Sequence, residues 1–100
     1  MHVVLVTYPK RDGARFDEAY YTATHMPLVR DGWAQYGLTD AQALYPSGAG
    51  DSGFTAVAVL SFRDADALQA ALASPEAPGI MGDVPNFTDI EPSMHFLQHG

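Results

Sequence analysis

Two stretches of the chain are apolar almost without interruption. Residues 2–8 read HVVLVTY and residues 54–62 read FTAVAVLSF. β-Branched and aromatic residues at this density, closed in the first case by Pro9, predict two strong strands. Neither strand alternates. Val3, Val4, Leu5 and Val6 put apolar side chains on both faces, as do Ala56, Val57, Ala58, Val59 and Leu60. An antiparallel sheet with one wet face reads apolar-in, polar-out, so both faces of this sheet are expected to be covered.

Between the strands the pattern turns helical. In FDEAYYTATHMPLV (16–29), Asp17 is placed to cap a helix running to about Thr24, and Glu18 suits the positive end of its dipole. Tyr21 and His25 lie four apart and share one face. Pro27 removes a backbone donor and disfavours helical geometry at Met26, which predicts a stop or kink there. A second helical piece is expected from Leu28 to Tyr36, ended by Gly37. Thr39–Tyr45 reads as a strand diluted by Ala and Gln, and Pro46–Gly53 as a flexible hairpin loop. Asp64 caps a helix over Ala65–Ala73 whose Leu68 and Leu72 face the core. Pro75, Pro78 and Gly79 break it, Ile80–Asp83 adds a short turn, and Phe87–Leu97 forms a last strand interrupted at Pro92.

The order β-α-β-β-α-β predicts an α+β, ferredoxin-like domain over residues 1–100: a four-stranded antiparallel sheet with two helices on one face. Two helices cover only that face. A second copy is the expected cover for the other, giving a homodimer through the helix-free sheet face that buries on the order of 2,000 Å² or more.

Composition narrows the partners. One hundred residues at 47% hydrophobic and 17% charged make one ordinary globular domain. With no cysteine there are no disulfides or thiolate metal sites, in keeping with a cytoplasmic setting. The start, MHVVLVTYPKRDG, lacks a basic region before its apolar run and reads as mature structure rather than a signal peptide. No apolar run approaches the ~20 residues needed to cross a bilayer. Five basic against twelve acidic residues give a net charge of -7, and Lys10, Arg11 and Arg15 are the only basic cluster. Neither nucleic acid nor an anionic membrane surface is expected to bind.

Several motif-like strings carry no chemistry. Gly48–Gly53 spells GxGxxG, but a strand follows where the dinucleotide fingerprint needs a helix. Gly50-Asp51-Ser52-Gly53 imitates a protease nucleophile loop in a chain too short for that fold. Asn86-Phe87-Thr88 is a glycosylation triplet only in spelling. His95 and His99, four apart on a strand, would be about 13 Å apart, too far to share an ion. No metal is expected.

His25 is the candidate with chemistry to offer. At a helix break it can cap a freed carbonyl, or it can act as a general acid or base near neutral pH. Among Tyr8, Tyr20, Tyr21, Trp33 and Tyr36 most should be core, with Tyr20 and Phe16 as the sheet-facing pair. Tyr21 can place a hydroxyl beside His25, and Asn86 can pin a turn or orient a ligand.

Tyr8-Pro9, FDEAYY at 16–21, HMPLV at 25–29 and DVPNFTDIEP at 83–92 resemble the EthD family of the dimeric α/β-barrel superfamily. The resemblance implies a ferredoxin-like homodimer and a pocket between sheet and helices lined by His25. The C-terminal SMHFLQHG departs from the strand expected of close relatives. Superfamily relatives include cofactor-free oxygenases, lactone isomerases, and polyketide cyclases or dehydratases. Small family members are often labelled reductases, yet no cofactor signature stands in this chain.

The resulting expectation is an enzyme that handles a small, apolar carbonyl, phenolic or lactone compound without a bound cofactor. Whether it is an oxidoreductase, an isomerase or a lyase stays open. His25 would move the proton, Tyr21 or Tyr8 would polarise an oxygen, and Asn86 would orient the compound between aromatic walls that include Trp33 and Phe87. The alternatives are a non-catalytic protein holding a metabolite in the same cavity, and a scaffold whose cavity is filled by its own side chains.

Overall fold

The computed structural model describes residues 1–48 and 53–99. Its elements are β1 (His2–Pro9), α1 (Glu18–Tyr20), a π-helical turn (Tyr21–His25), α2 (Met26–Trp33), a 3₁₀ turn (Ala34–Tyr36), β2 (Leu38–Leu44), β3 (Phe54–Phe62), α3 (Ala65–Leu72), α4 (Ala77–Gly82), a 3₁₀ turn (Val84–Asn86) and β4 (Ser93–Gln98). The four strands form one antiparallel sheet in the order β2-β3-β1-β4. This is the ferredoxin-like α+β arrangement. β1 and β3, the strands with unbroken apolar runs, are the two central ones.

Register assigns each side chain to a face. Val4 lies opposite Leu60, Val6 opposite Ala58 and Tyr8 opposite Ala56; these pairs meet the helices. Leu5 lies opposite Val59 and His95, and Thr7 opposite Val57 and Ser93, on the side without helices. The one-residue offset between the two sets is the period-two alternation of any strand.

The helical run from Glu18 departs from the expected break. Asp17 caps it as its sequence predicts, accepting from the Tyr20 N–H at 3.0 Å. At Pro27 the chain neither stops nor turns aside: Met26 keeps helical dihedrals (φ -63, ψ -42) and α2 continues. The strain is absorbed upstream. A proline has no N–H and its ring crowds the carbonyl four residues back. Widening the preceding turn to π geometry, with the Met26 N–H reaching the Tyr21 carbonyl, makes room and leaves Pro27 in the first turn of α2, where no donor is needed. Gly37 then ends the run with φ 99, and a Cβ there would sit 2.6 Å from that of Ala67, so only glycine fits.

Other boundaries also shift. α4 starts at Ala77 rather than as a turn at Ile80, because Pro78 and Gly79 occupy its first turn. The last strand is Ser93–Gln98, not Phe87–Leu97. Phe87 is fully buried, and Thr88 makes an isolated bridge to Phe16 while its hydroxyl donates to the Arg15 carbonyl at 2.6 Å. Regular pairing resumes only after Pro92, which has no donor to give a ladder. The segment SMHFLQ is therefore the edge strand itself. Tyr20 and Tyr21 exchange their expected places: Tyr21 is buried against Tyr8, their rings 5.5 Å apart, and Tyr20 is half-buried. The glycine-rich strings of the β2–β3 loop lie in part outside the described residues. Among those described, no helix is long and apolar enough to cross a membrane.

Candidate functional site

The π-helical turn sets the site. Its wider turn keeps residues four apart nearly in line, so Tyr21 and His25 both point into the sheet side and are buried. Their rings stack at 5.4 Å and 15°, and the Phe87 ring closes on the imidazole at 4.7 Å. His25 makes no cap hydrogen bond, so the helix-end reading of its imidazole does not hold. Its Nδ1 instead meets Asp83 Oδ2 at 2.9 Å.

Asp83 stands at the C-terminal end of α4 and gathers three donors. Oδ1 accepts from the Tyr20 hydroxyl at 2.8 Å and from Asn86 Nδ2 at 2.9 Å, while Oδ2 faces His25. Burial alone would push this carboxyl up. The hydrogen bonds from Asn86, His25 and Tyr20 outweigh it and hold Asp83 below the usual carboxylate range. An ionised carboxylate only accepts, so the proton sits on His25 Nδ1. In the neutral ring Nε2 then carries the lone pair, and among the described residues it has no hydrogen-bond partner.

A cavity of about 50 Å³ lies between the helix side of the sheet and the helices. His25, Tyr8, Tyr21 and Trp33 are its polar-bearing walls; Val6, Leu60, Val29 and Ile80 are among the apolar ones. No lysine or arginine lines it, so an anionic group finds no counter-charge there. Met26, Met81 and Met94 also line it, and Met81, Val84, Pro92 and Met94 are shared with a surface depression of about 590 Å³. A cavity of about 150 Å³ holds benzene. A ring enters the space here only when side chains swing aside, and methionine has the rotatable bonds to do so.

Burial pushes the Tyr8 phenol up to about 12, with a hydrogen bond to Tyr21 working against the rise. Burial raises Tyr21 further, and Tyr8 adds to it. Both stay neutral at physiological pH. It is the ring face of Tyr21 that stacks on His25. Of the six residues singled out in the sequence, His25, Tyr21, Tyr8 and Trp33 meet at the cavity. Phe87 packs on the imidazole without lining the cavity, and exposed Asn86 reaches it only through Asp83. Asp83 itself escaped sequence reading. Its one local signal is Asn86 three residues on, the spacing of a turn-pinning pair. Among the described residues no cluster of three or more His, Asp or Glu could hold a metal ion.

A family model described as the EthD domain matches residues 13–91. The chain belongs to the EthD family. An EthD-like protein from Ralstonia eutropha JMP134 is 30% identical, with 97% of this chain and 89% of that one covered at a TM-score of 0.85. Two further structures, too distant to show more than the fold, are similar over almost the whole EthD chain. A dimeric ferredoxin-like protein of unknown function from Thermobifida fusca YX is 10% identical, covering 98% of this chain and 90% of that one, with a TM-score of 0.72. SnoaB, a cofactor-independent oxygenase from Streptomyces nogalater, is 16% identical, covering 99% and 92%, with a TM-score of 0.63. No curated protein matches the sequence. The EthD match contains His25, Trp33, Asp83, Asn86 and Phe87; Tyr8 and β4 fall outside it.

Proposed function

We propose that this EthD protein is an enzyme moving a proton on a small apolar carbonyl, phenolic or lactone compound, with His25 Nε2 as the base and no bound cofactor. The observation that carries the reading is the His25–Asp83 pair. A partly buried carboxylate already engaged by Tyr20 and Asn86 fixes the imidazole tautomer and leaves the other ring nitrogen to the largely apolar cavity that His25 lines. A base so placed needs a weakly acidic C–H or O–H, and it gives the proton back from the same atom. The resulting imidazolium is stabilised at once by Asp83 across 2.9 Å. Oxygenase-type chemistry on the deprotonated compound is the relevant extension, supported by likeness of fold to SnoaB and by that likeness alone.

The working unit in this proposal is a homodimer joined through the helix-free sheet face, in a cytoplasmic setting. Val3, Leu5, Val57 and Val59 leave that face half-covered and apolar, and a second copy supplies a matching surface through a two-fold axis.

The test is deuterium exchange. Incubated in D₂O with a panel of enolisable ketones, lactones and phenols, the wild-type protein should place deuterium at the acidic position of at least one, and His25→Gln should not. Saturable binding with no exchange in either protein would replace the enzyme with a metabolite-holding protein.

A further inference from the structure

Among the residues that line the cavity, one carries a polar atom that is left over. Trp33, at the end of α2, is 1% exposed, and among the described residues its Nε1 is the only completely enclosed side-chain nitrogen or oxygen without a hydrogen-bond partner. Buried polar groups elsewhere are satisfied: the Ser74 hydroxyl donates to the Ala71 carbonyl at 2.6 Å, and the Thr88 hydroxyl to Arg15. A buried donor with nothing to donate to is a standing cost that an all-carbon side chain would avoid. The neighbouring polar walls do not relieve it: neither Tyr8, Tyr21 nor His25 makes a hydrogen bond to this indole, and His25 Nδ1 is held by Asp83. A water molecule would need two to four polar partners, and the walls around this indole are largely apolar.

We infer that Trp33 is a second anchor of the site, its indole N–H donating to a carbonyl-type oxygen of the bound compound. The inference rests on the reading of this cavity as the substrate site and adds the substrate's pattern. His25 Nε2 accepts and Trp33 Nε1 donates, so the two select opposite groups. They stand eight residues apart on one helical run, two turns or about 12 Å of backbone rise, and in this proposal they engage separate atoms of the compound. The substrate class is therefore a small apolar ring or chain with an acidic C–H or O–H at one end and a separate acceptor oxygen at the other. An analogue lacking that oxygen leaves the indole unpaired and is rejected, as sites built around a buried donor do.

Trp33 is the single tryptophan of the chain, so its indole gives one ¹⁵N–¹H resonance with no assignment problem. The probes are cyclohexanone and methylenecyclohexane, alike in shape and differing in C=O against C=CH₂. Cyclohexanone should move the indole proton downfield and slow its exchange with water; methylenecyclohexane should do neither. Trp33→Phe should weaken cyclohexanone about fivefold or more, the worth of one hydrogen bond, and leave the hydrocarbon unchanged. The same indole response in His25→Gln keeps the result independent of the proton-transfer reading: no deuterium exchange with an intact indole response sinks that reading alone. An indole resonance that ignores saturating cyclohexanone, or answers both probes alike, overturns the anchor. No saturable response to either probe overturns it together with the cavity. The wild-type resonance decides the matter even where Trp33→Phe fails to fold.

Discussion

The two faces of the sheet are built by alternate residues of the same strands and end very differently. On the helix side Val4, Tyr8, Leu60 and Phe62 are at most 4% exposed, and the packing leaves a small space around His25. On the other side Leu5, Val57 and Val59 are half-buried, and Leu44 and Leu97 are about half exposed, at 49% and 51%. Composition does not separate the faces, for both are apolar. What separates them is who supplies the cover. The chain's own helices complete one face, so its polar groups can be positioned to fractions of an ångström by neighbours in the same molecule. The other face has no helix of this chain over it, and its few polar side chains, such as Thr7 with His95 at 3.3 Å, bond to the neighbouring strand.

Breaking the helix side should have the larger consequences. His25→Gln is expected to lower turnover by roughly 10²–10⁴-fold, the usual worth of a positioned base, while the melting temperature moves by only a few degrees; kcat/KM on any compound that exchanges deuterium is the measurement. A loss of fold instead would make the imidazole a structural pin. Phe87→Ala should cost about 3–5 kcal/mol in urea unfolding, because it empties a fully enclosed site. The contrasting Val59→Ala on the open face should cost about 1 kcal/mol or less when the protein is dilute. Val59→Asp sharpens the comparison further: it buries an unpaired carboxylate in any sheet-to-sheet contact and should raise the dimer dissociation constant by roughly a hundredfold or more. Sedimentation at micromolar concentration reads this directly, and a wild type already monomeric there would refute the proposed assembly.

Asn86→Ala is expected to have a small effect with its own dependence on pH. Asp83 has its pKa lowered by folding, so its contribution is present above the unfolded carboxylate value near 3.9 and fades as pH falls through the folded one. Removing one of its donors should therefore cost about 1 kcal/mol at pH 7, and wild type and variant should converge as pH falls through the lowered folded-state value of Asp83. A gap that stays constant with pH would place the Asn86 contribution in the turn rather than in the carboxylate.

The strands, caps and helix α3 were legible because each rests on local signals. β3 occupies Phe54–Phe62 as its β-branched run predicts, and Asp17 and Asp64 cap the helices they precede. Pro27 departs from its local pattern for a physical reason. A proline forbids one hydrogen bond but does not say whether the chain responds by breaking or by widening the turn ahead of it. The apolar, β-favouring neighbourhood of Phe87 predicts a strand, whereas the demand of the core for a ring against His25 and Tyr8 decides its place. Asp83 could not be found at all. Its importance lies in contact with a residue 58 positions away, and no spacing rule reaches that far.

By itself, then, the sequence determined the order of elements, the apolar character of both sheet faces and the presence of one titratable ring beside a proline, since these depend on neighbours within a few residues. Only the tertiary structure decided which nitrogen of His25 is free, which carboxylate holds the other, and which indole is left without a partner. Hydrogen bonds between distant segments depend on where folding brings them, and burial sets what each unmade bond costs.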